Sequence, residues 1–152
     1  MLETGNTVTG FTIATDTGSF DLADHGGRNV VVYFYPRADT SGCTKEAVAF
    51  SSLLSEFEAA NCVVIGISKD SVAKQAKFRA KHDLKTLLGS DEETGVCEQF
   101  GVWVEKSMYG KTYMGIQRAT FVIDGQGKIA AVWPKVKVAG HAEEVLETVR
   151  GI

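Results

Sequence analysis

The chain contains, at residues 30–57, the stretch VVVYFYPRADTSGCTKEAVAFSSLLSEF, which decides its fold. Residues 30–35 are apolar, β-branched or aromatic without alternation, which is typical of a strand covered on both faces. Pro36 ends the strand because proline cannot donate to a sheet ladder. The apolar positions that follow recur at the spacing of one helical face: Phe50, Leu53, Leu54 and Phe57. The stretch therefore predicts a buried central strand and then a helix that begins near Cys43.

Cys43 falls in the first turn of this predicted helix. The first backbone N–H groups of a helix lack internal partners, and the helix dipole places partial positive charge there. Both effects favour the thiolate, which is the nucleophilic form of cysteine. Ionisation alone is a weak catalyst, because the nucleophilicity of a thiolate falls with its basicity. We therefore expect hydrogen-bond donors around Cys43, and Thr40, three residues earlier, is one candidate.

The same residues carry a resemblance to a known family. Pro36, Thr40 and Cys43 match the active-site motif P-x-x-x-T-x-x-C of the peroxiredoxins. The surrounding YFYPRADTSGCTKEA resembles the bacterioferritin-comigratory, or PrxQ, branch of that family. The resemblance continues through VCEQFGVW, EKSMYGKTYMGIQRATFVID and GKIAAVWPKVKVAGHAEEVL, and so covers most of the chain.

This resemblance implies a thioredoxin-like fold and a thiol-dependent peroxidase, in which Cys43 reduces hydrogen peroxide or organic hydroperoxides and becomes a sulfenic acid. By position, Arg118 resembles the active-site arginine of the family, Thr40 its peroxide-orienting hydroxyl and Pro36 the residue that shields the thiolate. Arginine also suits a peroxide site chemically, because its guanidinium is a fixed donor fork that keeps its charge. Glu46 either hydrogen-bonds to an arginine and positions it or complements the positive helix N-terminus.

The route that recycles Cys43 departs from the commonest pattern of that branch. A second, resolving cysteine usually lies five residues after the first, and Val48 occupies that position here. The sulfenic acid is therefore reduced either directly by an external thiol or through a disulfide with Cys97. Cys62 opens an apolar strand and is expected in the core, with a resolving role as the alternative. The expected reductant is thioredoxin, glutaredoxin or a small thiol.

The composition limits the domain number, the binding partners and the cellular location that can be expected. The 152 residues are 44% hydrophobic and 23% charged, which predicts one domain over residues 1–152 with its own core. A net charge of −3 argues against nucleic-acid binding, which normally shows a basic patch. The apolar runs are too short to cross a bilayer, and the start MLETGNTVTG lacks the features of a signal peptide. We expect a cytoplasmic protein, because three unevenly spaced cysteines fit a reducing compartment. We also expect a monomer, with a dimer as the alternative.

The rest of the chain alternates between strand and helix, which implies parallel pairing and an α/β domain with a central mixed sheet flanked by helices. The patterns predict an N-terminal β-hairpin at residues 10–15 and 19–22, a strand at 62–68, a helix from a cap at Asp70 or Ser71 to about His82, a short strand within 84–93, a short helix at 94–101, a hairpin of 119–123 and 128–133, and a terminal helix at 142–150. Residues 103–117 are predicted to be a long functional loop.

Other functions on the same fold compete with a peroxidase. A thiol–disulfide oxidoreductase is disfavoured because the chain has no C-x-x-C, and a non-enzymatic redox sensor is the further alternative. A Cys–His hydrolase needs one of His25, His82 and His141 to be brought to Cys43 by the fold. The cysteines and histidines show no ligand spacing, so neither a zinc module nor any other metal or cofactor is expected.

Overall fold

The computed structural model describes residues 1–152 as a mixed sheet with helices on both faces. The strands are β1 (Thr12–Thr15), β2 (Gly18–Asp21), β3 (Asn29–Phe34), β4 (Cys62–Ser68), β5 (Leu87–Ser90), β6 (Trp103–Met108), β7 (Lys111–Ile116), β8 (Ala119–Ile123) and β9 (Ile129–Trp133). The helices are α1 (Ser41–Ser52), α2 (Leu54–Ala59), α3 (Val72–His82), α4 (Val96–Phe100) and α5 (His141–Arg150), with a 3-10 turn at Leu22–His25. Seven strands form the main sheet in the order β2-β1-β5-β4-β3-β8-β9.

The strand predicted from residues 30–35 is the buried strand β3 of this sheet. It pairs in parallel with β4 and antiparallel with β8. Its side chains alternate between two cores, with Val30, Val32 and Phe34 on one face of the sheet and Val31, Tyr33 and Tyr35 on the other. All six are buried, which explains why the segment lacks polar alternation. The strand runs one residue earlier at each end than predicted, from Asn29 to Phe34, and Pro36 follows shortly after it.

The two faces of the sheet are covered by different parts of the chain. Helices α1, α2, α3 and α5 cover the face of Tyr33, and their buried side chains include Cys43, Phe50, Phe57, Phe78 and Val145. Helix α4 and the N-terminal segment cover the face of Phe34, with Cys97, Phe100 and Phe11 in that core. Cys43 and Cys97 therefore lie on opposite sides of the sheet. The predicted α/β architecture and N-terminal hairpin are confirmed.

Residues 103–117 form a β-ribbon, and the prediction of a loop there is wrong. Strands β6 and β7 pair antiparallel from Trp103 opposite Ile116 to Met108 opposite Lys111. Tyr109 and Gly110 connect them with φ values of 52° and 76°. Two central residues with positive φ suit a two-residue hairpin turn whose twist matches the strands. The ribbon is mostly open to solvent, so it lacks the apolar alternation by which a half-buried strand is predicted.

The remaining element boundaries follow local sequence signals. Ser71 caps α3, and its hydroxyl accepts a hydrogen bond of 3.2 Å from the backbone N–H of Lys74. Helix α1 ends at Ser52 and α2 begins at Leu54, so the predicted apolar stripe continues across a short break. None of the helices combines the length and apolar character that a bilayer crossing requires.

His141 is a titratable side chain buried at the start of α5. Its Nε2 lies 2.8 Å from the hydroxyl oxygen of Thr120, and its ring meets Phe50 and Trp133 edge to face. Burial lowers the pKa of His141 to about 4, because the imidazolium form would lose its hydration. The folded protein therefore holds a neutral histidine at neutral pH.

We predict that His141 makes the protein acid-sensitive between about pH 6.5 and pH 4. Its pKa is about 4 when folded, against 6.5 for the free side chain, so the unfolded state binds more protons in this window and acid favours unfolding. The free energy of unfolding of the wild type should fall relative to His141→Gln by up to about 3 kcal/mol. Urea denaturation of both proteins at about pH 7 and about pH 4.5 measures the difference, and a constant difference would contradict the prediction.

Candidate active site

Cys43 lies at the base of a cleft at the start of α1. It is the third residue of the helix, and the backbone at Thr40, the N-cap, is extended. The side chain of Cys43 is only 1% exposed, and it lines a cleft of about 510 Å³. A small molecule therefore reaches the sulfur only through this cleft.

Arg118 is placed beside Cys43 by the pairing of β8 with β3. Phe34, at the end of β3, lies opposite Ala119, the first residue of β8. Arg118 directly precedes β8, so this register brings it to the end of β3 where α1 begins. Its Nη2 donates to the Sγ of Cys43 at 3.2 Å, and its Nη1 donates to Oε1 of Glu46 at 2.8 Å. One guanidinium thus joins the sulfur to a carboxylate.

Glu46 is buried one helical turn after Cys43. Its ion pair with Arg118 corresponds to the first of the two roles expected of it. Burial raises the pKa of Glu46 to about 7, although Arg118 acts in the opposite direction. The Oε2 atom has no hydrogen-bond partner. Burial also opposes the charge of Arg118, but Glu46 and Cys43 outweigh it and raise the pKa of the guanidinium.

Gly42 provides the space that the arginine occupies. A Cβ atom at this position would lie 3.3 Å from Nη2 of Arg118, closer than side chains normally pack. The absence of a side chain therefore allows the guanidinium to reach the helix start. Sequence reasoning did not identify Gly42, and its place directly before Cys43 is the one signal that could have indicated it.

The segment between β3 and α1 contributes the opposite wall of the cleft. Pro36 and Thr40 both line it, together with Arg37. The hydroxyl of Thr40 donates to the backbone carbonyl of Arg37 at 2.9 Å. Because its hydrogen is used in this way, the oxygen of Thr40 is left to accept a hydrogen bond from a molecule in the cleft.

Two aspartates connect this segment to the body of the protein, and the sequence indicated only Asp70, as a possible helix cap. Asp70 accepts a hydrogen bond of 2.7 Å from the backbone N–H of Ala38. Asp39 has a φ of 63°, which is uncommon for a residue with a side chain. Its carboxylate contacts Lys81 at 2.8 Å and His82 at 2.7 Å on α3. These partners are 32 to 43 residues away, so no local pattern indicates them.

The structure does not bring Cys97, the alternative resolving residue, close to Cys43. The sheet separates them, Cys97 is fully buried, and a disulfide tolerates a Cα separation of only about 7 Å. Burial, followed by the nearby Asp91, raises the pKa of Cys97. Its thiol is therefore a poor nucleophile at neutral pH.

Cys62 also lies away from Cys43. It pairs with Asn29 at the start of β3, whereas Cys43 follows the far end of that strand, about 16 Å away along its axis. Burial raises the pKa of Cys62 to about 12. Cys62 therefore has the surroundings of a core residue.

No histidine lines the cleft of Cys43. The lining side chains are Pro36, Arg37, Thr40, Cys43, Lys69, Asp70, Ser71, Lys74, Glu92, Trp103, Lys106, Tyr113, Met114, Ile116 and Arg118, with Gly115. Five of them are basic and two are acidic, so the cleft attracts electron-rich groups. The base that a Cys–His hydrolase needs is missing from this cleft.

Comparisons with known proteins agree with this geometry. The model of the AhpC/TSA family matches residues 4–132. The chain is 50% identical over 146 residues to a putative peroxiredoxin Bcp of Coxiella burnetii, covering 95% of this chain and 97% of that one. A PrxQ variant from Xylella fastidiosa has a similar structure, with a TM-score of 0.94, 35% identity and coverage of 99% and 97%. The bacterioferritin comigratory protein of Xanthomonas campestris, studied for its alkyl peroxide reduction activity, matches with a TM-score of 0.88, 39% identity and coverage of 93% and 90%. The expected thioredoxin-like fold is confirmed.

We predict that the contribution of Glu46 depends on pH. Ionised Glu46 holds Arg118 against Cys43 through a charge-assisted hydrogen bond, which protonation near pH 7 weakens. Glu46→Gln should slow the reaction of Cys43 with hydrogen peroxide by roughly tenfold at about pH 8, and by less than about twofold at about pH 6, where the wild-type carboxyl is itself mostly neutral. Stopped-flow rate constants of both proteins test this. A ratio that does not change with pH would rule out this role for the Glu46 charge.

We also predict that Gly42→Ala separates activity from stability. The added Cβ forces Arg118 to move by a few tenths of an ångström, so the rate of Cys43 oxidation should fall severalfold. Alanine favours a helix over glycine by about 0.5–1 kcal/mol. The free energy of unfolding should therefore stay near the wild-type value even though the rate falls. Rate constants and urea denaturation on the same samples provide the two measurements. If rate and stability both match the wild type, Arg118 does not need this space.

Proposed function

The chain belongs to the AhpC/TSA family and is a peroxiredoxin of the Bcp type, a thiol-dependent peroxidase, and from that premise we propose that Cys43 is its peroxide-reducing thiol. The observation that carries the proposal is the contact of Arg118 with the sulfur, made while the same guanidinium is held by Glu46. A cysteine buried for packing alone has no need of a fixed cation at its sulfur. Here that cation faces a cleft that admits a small substrate.

The chemical step is an attack of the Cys43 thiolate on one peroxide oxygen. A sulfur–oxygen bond forms as the oxygen–oxygen bond breaks, so the sulfur is oxidised to a sulfenic acid and the peroxide is reduced. The second oxygen leaves as hydroxide or alkoxide. The guanidinium of Arg118 donates to the thiolate before the attack and to the oxygens that gain negative charge during it.

The other cleft residues orient the substrate in this proposal. Thr40 has an oxygen free to accept the O–H of a hydroperoxide, which directs the oxygen–oxygen bond toward the sulfur. Pro36 lines the cleft without adding a donor or an acceptor side chain. Glu46 acts through Arg118, which it holds in place.

We propose that the substrates are hydrogen peroxide and organic hydroperoxides. The Xanthomonas campestris relative is described by its alkyl peroxide reduction activity, which supports the extension to alkyl groups. The cleft also has apolar side chains beside its basic ones: Trp103, Tyr113, Met114 and Ile116. Its volume of about 510 Å³ leaves room for a short alkyl chain.

We propose a one-cysteine cycle for the return of Cys43 to its thiol. Val48 occupies the position five residues on, and Cys62 and Cys97 are buried away from the cleft. An external thiol attacks the sulfenic acid, which releases water and leaves a mixed disulfide, and a second thiol then frees Cys43. Thioredoxin, glutaredoxin or a small thiol can act as this reductant. A reducing compartment such as the cytoplasm supplies them and keeps the other two thiols reduced.

Mass spectrometry after one equivalent of hydrogen peroxide, without reductant and with remaining thiols alkylated, tests the cycle. We predict a gain of one oxygen on Cys43, with Cys62 and Cys97 still alkylated. Loss of two hydrogens with a peptide linked through Cys43 and Cys97 would replace the one-cysteine cycle with a two-cysteine one.

Two variants serve as controls for this measurement. Cys43→Ser should lose all peroxide consumption, and retained consumption would overturn the assignment of Cys43. Cys97→Ala should give the same product on Cys43 as the wild type, because Cys97 lies behind the sheet.

A further inference from the structure

The leaving oxygen of the proposed reaction needs a proton, and this inference rests on that reaction. Hydroxide and alkoxide are strong bases, since the pKa of water is about 15.7. Arg118 stabilises their charge but is a poor acid, because its guanidinium does not deprotonate in proteins. The hydroxyl hydrogen of Thr40 is already donated to the carbonyl of Arg37. Arg118, which contacts the sulfur, and Thr40, which orients the peroxide, therefore do not provide the proton.

Lys106 on β6 presents an ammonium group in the same cleft. Its Nζ donates to the backbone carbonyl of Ile116, two residues before Arg118. It makes no ion pair with any carboxylate. An ammonium group has three N–H donors, so two remain for a molecule in the cleft.

Gly115 allows Lys106 to take this position. A Cβ on Gly115 would lie 3.2 Å from Cδ and 3.5 Å from Cε of Lys106. The lysine stem therefore crosses β7 where that strand has no side chain. The stem brings the ammonium to the carbonyl of Ile116, two residues before Arg118.

The electrostatic surroundings of Lys106 favour release of its proton. Burial lowers its pKa and Arg118, a like charge, lowers it further, whereas Cys43 raises it. The net shift is downward. Lys106, Arg118 and Cys43 line the same cleft, so the ammonium lies within electrostatic reach of the reacting sulfur.

The other basic residues of the cleft are less suited to this task. Lys69 contacts Asp91 at 3.2 Å and Glu98 at 2.7 Å, so its donors are occupied by carboxylates. Burial opposes its charge, but these two partners outweigh it and raise its pKa. Lys74 is exposed on α3, and Arg37 carries a guanidinium that keeps its proton.

We propose that Lys106 is a catalytic general acid that protonates the leaving oxygen. As the Cys43 thiolate forms its bond to one peroxide oxygen, the other oxygen takes the electron pair of the broken bond and a proton from Nζ. The products are the sulfenic acid, an alcohol or water, and a neutral amine, which regains its proton from solvent. The downhill transfer from an ammonium to an alkoxide needs no further reactant.

The leaving group provides a test of this role. An alkyl hydroperoxide releases an alkoxide, which needs a proton, whereas peracetic acid releases acetate, which is stable without one. General acids contribute roughly 10²- to 10⁴-fold to such steps. Stopped-flow oxidation of Cys43 in Lys106→Met should therefore be slower by more than about tenfold with tert-butyl hydroperoxide. With peracetic acid it should change by less than about twofold.

Two further variants control for charge and for folding. Lys111→Met removes an exposed lysine from the same ribbon, outside the cleft, and should leave both rates unchanged. Gly115→Ala keeps the lysine but displaces its stem. It should lower the rate with tert-butyl hydroperoxide and spare the rate with peracetic acid, even if Lys106→Met folds poorly.

Either of two results would overturn the inference. Equal losses with both peroxides in Lys106→Met would make the lysine an electrostatic or structural residue, and unchanged rates would place the proton source elsewhere. Neither result touches the assignment of Cys43, which depends on the Cys43→Ser variant. If that variant still reduces peroxide, the proposed function fails whatever Lys106 does.

Discussion

The contact of the Arg118 guanidinium with the sulfur of Cys43 and the carboxylate of Glu46 is the interaction on which the site depends. It joins the first helix to the residue directly before β8, 75 positions later in the chain. The pairing of β8 with β3 sets its geometry, because Ala119 lies opposite Phe34 at the strand end that leads to α1. A shift of that register by one residue would turn Arg118 to the other face of the sheet.

Burial of this site makes the ionised form of Glu46 less favourable. Glu46 is 1% exposed, has one oxygen without a partner and has a raised pKa, so its ionised form is held only by Arg118. Removing one member of such a pair leaves an uncompensated charge in a low-dielectric surrounding. Glu46 is therefore not expected to stabilise the protein. Its observed partner is the arginine that donates to the sulfur of Cys43.

Local sequence patterns predicted most of the secondary structure because the relevant interactions are short-range. The uniform apolar strand at residues 30–35, Pro36 at its end and Cys43 at a helix start all depend on neighbours in the chain. The β-ribbon of 103–117 was missed, since its strands pair with each other in solvent and need no apolar face. Cys97 was a candidate partner for Cys43 because sequence separation carries no information on which face of the sheet each residue occupies.

The sequence by itself determined the family pattern, the position of Cys43 in the first turn of a helix and the presence of Val48 where the branch usually has a resolving cysteine. Each of these is read within a short window of residues. Only the tertiary structure decided that Gly42 leaves room for Arg118, that Asp70 and Asp39 fasten the active-site segment, and that Lys106 crosses Gly115 into the cleft. These contacts arise when strands and helices distant in the chain pack together, and no local periodicity encodes them.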